Sequence, residues 1–350
     1  MKSYQAISGG GVDSIMEVER TSVPLDPTCV RVRIEAAALN KRDQWIIEGK
    51  YNVPNGQVVV PLCDGCGTIV EAGTAATRFE VGDRVIVTFW PHWVDGEISF
   101  AKVAQSFGAD LPGTLAEELV VDEQALVLAP RHLSAIEAST IACAGLTAWN
   151  ALFVRGDLKP GQTVLLLGTG GVSIWALQLA YAAGLRTIVT SSSDEKLARA
   201  TEMGAAATIN YRATPEWQDE VKRLTDGAGV DLVVEVGGKG TIARSIASTR
   251  LGGTVVVIGA VSGGEGGVDT DTLIGGAVTL GGIMVGSRAM LEQLVHFIDA
   301  TGIRPVIDRT FAFEDAVSAY RHLLSGEHFG KVVIEGAVEA GSAHHETASS

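Results

Sequence analysis

An apolar strand followed by a glycine-rich turn and an apolar helix constrains the fold more than any other stretch. Residues 162–168 read QTVLLLG, a short run typical of a strand buried on both faces. Three glycines, Gly168, Gly170 and Gly171, lie in and after it, and residues 172–184 form an apolar segment that ends at a glycine, as helices commonly do. This order predicts a βα unit of a parallel sheet.

The same alternation continues to residue 286 and predicts a doubly wound sheet with right-handed crossovers. Further strands are predicted at 186–190, 207–210, 230–236, 253–259 and 279–286, with helices at 193–204, 217–225 and 241–249. Ser192 and Glu195 are predicted to cap the first of these helices. Residues 29–39, 67–73 and 81–90 alternate with a period of two, which predicts a barrel-like β domain in the first third.

Three helices are predicted outside this alternation, at 133–153, 289–302 and 313–326, the first with a capping box of Ser134 and Glu137. A strand follows the last helix. We therefore predict an α/β protein with four parts. These are a β domain at 1–143, a nucleotide-binding domain at 144–284, a return to the first domain at 285–335, and a disordered tail at 336–350, which includes His344 and His345.

The charge of the chain argues against polyanionic partners. The formal net charge is −14 and the sequence pI is about 4.9, so we expect no nucleic-acid partner and no membrane surface. No apolar run is long enough to span a bilayer, and the N-terminus has no secretory h-region. Four cysteines in 350 residues do not indicate a disulfide scaffold. We expect a reducing, cytoplasmic setting.

The glycine turn is typical of a dinucleotide site. Gly168 permits the tight turn, and Gly170 lacks the Cβ that would block a pyrophosphate. The N-terminus of the following helix offers free N–H groups to that anion. The third glycine of the fingerprint is Ser173, and the alternative is an ordinary strand–helix turn. The predicted contacts of the coenzyme with this turn are Gly168, Thr169, Gly170, Gly171 and Val172.

The end of the second strand favours NADP (NADPH) over NAD. It reads Ser191, Ser192, Ser193, without the carboxylate that would bind both ribose hydroxyls. Short hydroxyls leave room for a 2′-phosphate, and Lys196 would add a positive charge. Alternatively, Lys196 is an exposed partner of a neighbouring acid.

A Cys-x-x-Cys at Cys63 and Cys66 raises the question of zinc or redox chemistry. A redox pair needs a strand-to-helix turn that lowers a thiol pKa, but here a strand-like segment follows. No second pair exists to close a structural zinc site. We interpret both cysteines as buried side chains in a tight turn, with Cys63 near a cleft.

Several motifs in order resemble the medium-chain dehydrogenase/reductase superfamily, in particular its zinc-independent, quinone-oxidoreductase-like branch. They are AAALNKRD, PLCDGCGTIVEAG, GTLAEELVV, CAGLTAWNALF, GTGGVS, INYR and HFGKVVI, and the resemblance spans about residues 30–335. It implies a GroES-like β domain and a Rossmann domain, with coenzyme and substrate in the cleft between them. The family's zinc enzymes take catalytic ligands from three places, which here hold Asn40, Cys63 with Asp64, and Cys143. Only the cysteine at the third place is retained, so we expect no metal.

The resemblance also implies residue roles. Coenzyme contacts are expected at Thr147, Tyr211, Val236, Gly259, Val261, Gly286, Ser287 and Lys331. Candidate proton donors are Asn40, Lys41 and Tyr51, with packing or solvated roles as alternatives. Cys63, Trp90, His92 and Trp93 are candidate pocket residues for a small apolar or aromatic substrate. The alternative is that the aromatics pack between domains and that His92 is a satisfied hydrogen-bonding residue. A homodimer through the Rossmann sheet edge is expected.

These features together predict NADPH-dependent reduction of an enone, a quinone or a reactive carbonyl. An enolate or quinol spreads the negative charge that develops on oxygen. Without a metal, the protein therefore has to stabilise less charge on one atom than it would for an alkoxide. Two alternatives remain open. One is a zinc-dependent alcohol dehydrogenase, and the other is a nucleotide-binding biosynthetic protein without redox chemistry.

Overall fold

A computed structural model describes residues 1–261 and 267–337. The expected tail at 336–350, with His344 and His345, therefore lies almost wholly outside the described residues. The strands are β1 (Lys2–Ile7), β2 (Met16–Glu19), β3 (Cys29–Ala38), β4 (Val58–Val59), β5 (Asp64–Ala72), β6 (Arg84–Val87), β7 (Glu118–Asp122), β8 (Leu126–Leu128), β9 (Thr163–Leu167), β10 (Arg186–Ser191), β11 (Ala207–Asn210), β12 (Val230–Glu235), β13 (Thr249–Val257), β14 (Thr279–Gly282), β15 (Ile307–Phe311) and β16 (Lys331–Glu335).

The helices include two that the sequence did not predict, α1 and α8. They are α1 (Lys41–Ile47), α2 (Ala135–Ala138), α3 (Leu146–Trp149), α4 (Gly171–Ala182), α5 (Asp194–Glu202), α6 (Trp217–Leu224), α7 (Ile242–Ser248), α8 (Thr270–Gly276), α9 (Arg288–Thr301) and α10 (Ala316–Ser325). Two π-helical segments, Ile141–Gly145 and Asn150–Arg155, flank α3 and continue the helical run predicted at 133–153.

The nucleotide-binding domain is a six-stranded parallel sheet in the order β11-β10-β9-β12-β13-β14. Its inner strand β9 is apolar along its length because helices cover both faces, as predicted. The strand order reverses beside β9, at the β9/β12 switch point. Ligands bind beyond the carboxyl ends of strands at such a point, so the glycine turn after β9 lies where a ligand is expected.

The other domain is built mainly on antiparallel strands, with β15 and β16 parallel, and the chain returns to it near its end. Its larger sheet runs β15-β16-β3-β5-β6-β8, with β7 also paired to β3, and β1, β2 and β4 form a smaller sheet. Strand β16 pairs with β3 through Val333 opposite Ala38. This return places residues 326–336 between the two domains, against the glycine turn.

Two local predictions need correction. The cap of α5 is Ser193, whose Oγ accepts a hydrogen bond from the Lys196 main-chain N–H at 3.3 Å, and not Ser192. Strand β5 begins at Asp64, so Cys66 lies inside a strand and only Cys63 belongs to the turn. The predicted capping box of Ser134 and Glu137 is confirmed.

Candidate active site

A cavity of about 360 Å³ lies at the seam between the two domains. The glycine turn and the ends of β10 and β12 form one wall, while α1 and the return segment form the other. Predicted site residues that line it are Asn40, Lys41, Gly168, Thr169, Gly170, Gly171, Val172, Ser191, Ser192, Lys196, Tyr211, Val236, Val261 and Lys331. The seam therefore brings most of the predicted coenzyme residues together.

The backbone of the glycine turn is open toward this cavity. Gly168 has φ +73°, which favours glycine, and a Cβ on Gly168 or Gly170 would meet no atom within 4 Å. No side chain caps α4, so its first N–H groups stay available for an anion. Ser173, which replaces the third glycine, donates from Oγ to the Leu167 carbonyl at 2.7 Å and ties the helix to β9.

The return segment is fastened to the same turn. The Gly330 N–H donates to the Thr169 carbonyl at 3.1 Å, and Gly330 forms a parallel bridge with Gly170. Lys196 Nζ donates to the carbonyls of Gly326 and His328, each at 3.0 Å. Lys196 therefore bridges the two domains, and the alternative of an exposed partner for a neighbouring acid is wrong.

Sequence reasoning missed His328, which also lines this end of the cavity. Burial, reinforced by the charge of Lys196, lowers the pKa of His328 to about 4, so the ring is neutral at pH 7. Its Nδ1 is buried without a partner among the described residues. The sequence feature that could have indicated His328 is the HFGK motif, which places this histidine three residues before Lys331.

A buried charged network lies at two of the three places that, by the resemblance, correspond to metal ligands in the family's zinc enzymes. Lys331 Nζ donates to the Leu39 carbonyl at 2.7 Å, to Asn40 Oδ1 at 2.6 Å and to Asp64 Oδ2 at 3.2 Å. Asn40 Nδ2 donates to the same Asp64 oxygen at 2.9 Å. Burial raises the pKa of the Asp64 carboxyl, and the charge of Lys331 opposes that rise. Lys331 thus orients both polar side chains.

This network changes the ranking of the candidate proton donors. The Asn40 amide is engaged at both ends, and Lys41 Nζ donates to Gln44 Oε1 at 2.7 Å while burial lowers the pKa of its ammonium. Tyr51 is half-buried, and burial raises its pKa. Among residues 1–261 and 267–337, no group hydrogen-bonds to its hydroxyl. Tyr51 therefore has an uncommitted hydroxyl but is not among the residues that line the cavity, whereas Lys41 lines it and keeps two N–H groups free within the described residues.

Arg42 is a second residue that sequence reasoning missed. Its side chain is only 5% exposed and lies over the rings of Tyr51 and Phe89, with centroids 5.0 and 4.8 Å from the guanidinium carbon. It donates to the Phe107 carbonyl at 2.7 Å. The adjacent Asp43 is also buried, and burial raises the pKa of its carboxyl to about 6. The available signal was a run of three consecutive charged residues, Lys41 to Asp43, shortly after the apolar end of β3.

The predicted substrate pocket needs correction. Cys63 is fully buried and is not among the residues that line the seam cavity. Trp90 and Trp93 are buried, with indole N–H groups donating to the carbonyls of Met284 and Gly96. His92 is exposed and pairs with Gln105 Oε1 at 3.2 Å. The alternative interpretation, in which the aromatics pack and His92 is a satisfied hydrogen-bonding residue, describes this loop.

Five predicted coenzyme residues lie outside the cavity lining. They are Thr147, Ser193, Gly259, Gly286 and Ser287. Two of them use their hydroxyls as helix caps, Ser193 for α5 and Ser287 for α9. Thr147 is buried in α3, and a Cβ on Gly286 would lie 2.9 Å from the Leu146 side chain. These positions explain local packing, and their roles toward a coenzyme stay predictions.

Comparison with known proteins identifies the class. Residues 26–131 match the alcohol dehydrogenase GroES-like domain family, and residues 171–300 match the zinc-binding dehydrogenase family. A zinc-type alcohol dehydrogenase-like protein of Schizosaccharomyces pombe is 41% identical over 329 residues, which is 91% of this chain and 95% of that protein. The chain therefore belongs to the medium-chain dehydrogenase/reductase superfamily, and it is an NAD(P)-dependent oxidoreductase.

Solved structures show the same architecture. An NAD-dependent alcohol dehydrogenase is 32% identical with a TM-score of 0.87, covering 96% of this chain and 99% of that one. The quinone oxidoreductase of Pseudomonas syringae pv. tomato is 28% identical with a TM-score of 0.79, covering 95% and 99%. These similarities support a nicotinamide coenzyme in the seam. No helix in the described part of the chain is long and apolar enough to cross a membrane.

Proposed function

We propose that this protein is a zinc-independent, NADPH-dependent reductase of enones, quinones or reactive carbonyls. The observation that carries the proposal is the buried Lys331–Asn40–Asp64 network beside the coenzyme cavity, at the place where zinc relatives bind their metal. The similarity to a quinone oxidoreductase supports the same substrate class.

The residues of this network do not fit a catalytic zinc. Such a site needs three protein ligands that converge on an open position. Here the Asn40 carbonyl and the Asp64 carboxylate both face an ammonium group, which repels a second cation. In the described ranges no cluster of three or more His, Cys, Asp or Glu side chains is arranged to hold a metal ion. We therefore assign no step to zinc.

The residues present fit a nicotinamide dinucleotide, which when bound supplies the hydride. The free N–H groups of α4 and the open face of Gly170 would hold its pyrophosphate. Tyr51 then supplies the proton that the reduced substrate takes up. A tyrosine phenol is protonated at neutral pH, and burial raises the pKa of Tyr51 further, so its hydroxyl is present as a donor.

The choice of NADPH over NADH is supported by the chemistry of the cavity end at β10. Ser191 and Ser192 line it, and the nearest acid, Asp194, is already paired with Asn210 Nδ2 at 2.7 Å. Lys196 uses two N–H groups on carbonyls, which leaves a third for a phosphate oxygen. Tyr211 and His328 line the same end.

Two further proposals concern the setting of the enzyme. The four cysteines are free thiols, which supports a cytosolic location. Strand β14 is the outer strand of its sheet, so its free edge is available to the same strand of a second copy, and we propose a homodimer there. Sedimentation of the purified protein at a mass near 73 kDa, about twice the 36.5 kDa chain, is the expected result.

Stopped-flow oxidation of NADPH tests the proposed reaction against cyclic enones, benzoquinones and aldehydes, with metal content measured on the same sample. Turnover in metal-free protein is expected with at least one of these classes. Alcohol oxidation that depends on stoichiometric zinc would overturn the proposal. Tight NADPH binding without turnover of any acceptor would also overturn it and favour a non-redox role.

A further inference from the structure

A buried carboxylate closes the loop that follows β12, at the switch point of the nucleotide-binding sheet. Glu235 is the last residue of β12 and is 0% exposed. Its Oε1 accepts hydrogen bonds from the main-chain N–H groups of Gly237 and Gly238, at 2.6 and 2.9 Å, and from Thr241 Oγ1 at 2.7 Å. Its Oε2 accepts a hydrogen bond from Ser245 Oγ on α7. The side chain therefore fastens the loop between β12 and α7 at both of its ends.

The charge of Glu235 strengthens this fastening. Hydrogen bonds to an ionised acceptor are roughly twice as strong as bonds between neutral groups. In the described part of the chain, Glu235 forms no ion pair with a lysine, an arginine or a histidine. A buried carboxylate without a cation is costly unless hydrogen bonds compensate for the water that it has lost. The four donors supply that compensation, so loss of the charge would loosen the loop.

The same loop packs closely against the segment that follows β13. The Val261 N–H donates to the Val236 carbonyl at 3.2 Å. A Cβ on Gly259 would lie 2.7 Å from that carbonyl oxygen, and a Cβ on Gly238 would lie 2.8 Å from Ala260 Cα. Neither glycine position therefore has room for a side chain. A displacement of the loop after β12 must consequently displace the segment after β13 as well.

Both segments present an apolar side chain to the coenzyme cavity. Val236 and Val261 line the cavity, whereas Glu235 is not among its lining residues. The glycine turn follows β9, which lies between β10 and β12 in the sheet. With the adenosine half at Ser191 and Ser192 and the pyrophosphate at the glycine turn, the nicotinamide half extends past the end of β12. Val236 and Val261 are therefore the apolar walls on that side.

We propose that Glu235 is a positioning residue for the nicotinamide half of the coenzyme. Its carboxylate fixes the loop after β12, and that loop sets the separation of Val236 and Val261 at the cavity. A ring that enters between fixed walls requires less ordering of the protein on binding, so a rigid loop contributes affinity. This inference rests on the proposed placement of the pyrophosphate at the glycine turn.

Two ligands that differ only in the nicotinamide ring test the proposal without any need for turnover. NADPH and 2′-phospho-ADP-ribose are titrated into the parent protein and into Glu235→Gln, which keeps the side-chain shape but removes the charge. We expect the Kd for NADPH to rise about tenfold in the variant, while the Kd for 2′-phospho-ADP-ribose changes by less than about twofold. The fluorescence emission of bound NADPH should shift toward that of the free coenzyme, because its reduced ring is held less firmly.

Glu123→Gln is the matched control for removal of a buried charge. Glu123 is 5% exposed and accepts the main-chain N–H groups of Thr77 and Arg78, each at 2.7 Å, but it does not line the seam cavity. This variant should leave the Kd of both ligands unchanged. Thr241→Val provides a milder test if Glu235→Gln folds poorly. It removes one of the four donors, so it should weaken NADPH binding selectively but by a smaller factor.

The outcomes separate this inference from the proposed function. Equal losses for the two ligands in Glu235→Gln would overturn the inference, because a general loss of structure weakens every ligand of the cavity. An unchanged Kd for NADPH in that variant also contradicts it. If the parent binds NADH but not NADPH, NADH and ADP-ribose form the same matched pair. A parent protein that binds neither dinucleotide would contradict the proposed function together with this inference, whereas the other outcomes leave the proposed function intact.

Discussion

Lys331 Nζ lies 3.2 Å from Asp64 Oδ2, with the lysine 3% and the aspartate 0% exposed. The two residues belong to β16 and β5. Both strands lie in the larger sheet but do not pair with each other, because β3 lies between them. The pair therefore ties the return segment to the first residue of β5, directly after Cys63. Lys331 places a positive charge beside the cavity while its three N–H groups are engaged.

Removing the ammonium group of Lys331 should lower the stability of the protein, because the buried carboxylate of Asp64 then lacks its cationic partner. Lys331→Met leaves Asp64 with Asn40 as its side-chain donor and without a cationic partner, and breaking a buried ion pair costs about 3–5 kcal/mol. We expect the free energy of unfolding in urea to fall by that amount at pH 7.5. The double variant Lys331→Met/Asp64→Leu should recover much of the loss. A single variant within about 1 kcal/mol of the parent contradicts the pairing.

An alanine at Gly170 should separate coenzyme binding from stability. Its Cβ meets no atom within 4 Å and its φ of −79° suits any residue, so unfolding should change by less than about 0.5 kcal/mol. A bound pyrophosphate, however, would approach that Cβ, and we expect NADPH affinity by fluorescence titration to fall at least about tenfold. Gly275→Ala in α8, also open to space, is the matched control. Unchanged affinity in Gly170→Ala would place the pyrophosphate elsewhere.

Coenzyme choice should depend on Lys196. In Lys196→Gln the charge beside the expected 2′-phosphate is lost, and we expect the Kd for NADPH to rise about tenfold, equivalent to roughly 1.4 kcal/mol. The Kd for NADH should change little. Lys159→Gln, at an exposed lysine paired with Asp157, controls for net charge. Equal losses for both coenzymes would assign Lys196 to domain bridging alone.

Stability should fall in acid because of His328. Its folded pKa of about 4 lies below its usual 6.5, so the unfolded chain binds the extra proton first and stability is lost as pH falls from 6.5 toward 4. Between pH 7.5 and 5.0 this amounts to about 1–2 kcal/mol. His328→Asn should flatten that part of the urea-unfolding profile. His92→Asn, at an exposed histidine, should retain the parent slope, and an identical slope in both variants counts against the effect.

Proton donation should be lost in Tyr51→Phe. The ring and its contact with Arg42 remain, while the hydroxyl is removed. We expect kcat to fall about 10²-fold with little change in KM, since general acid catalysis contributes about that much. Tyr181→Phe, an exposed tyrosine on α4, is the control. A parent-like kcat would move the donor role to another group or to water.

The nucleotide-binding half was largely predictable from sequence. Strand β9, the glycine turn and α4 carry strong local signals, since burial on both faces and a positive φ restrict the residues that fit. Ser173 shows how a departure from the pattern is tolerated, because its hydroxyl finds the Leu167 carbonyl. The family resemblance supplied the domain arrangement that local patterns alone did not.

The catalytic side was less predictable because its interactions join distant segments. Short helix α1 carries Lys41 and Arg42 and has no clear periodicity, so it was missed. The sequence did not indicate that Lys331 would hydrogen-bond to Asn40 and Asp64. It also did not indicate that the Trp90 indole N–H would donate to the Met284 carbonyl. Such contacts depend on how two domains meet, and no spacing rule encodes that.

The pairing of β16 with β3 has a consequence for synthesis of the chain. Strand β3 leaves the ribosome early, but its neighbour at Lys331–Glu335 is made near the end. The edge of β3 that receives β16 therefore stays open through most of translation, while the intervening Rossmann unit has all its strands by residue 282. Cotranslational folding should thus complete the middle of this polypeptide before its beginning.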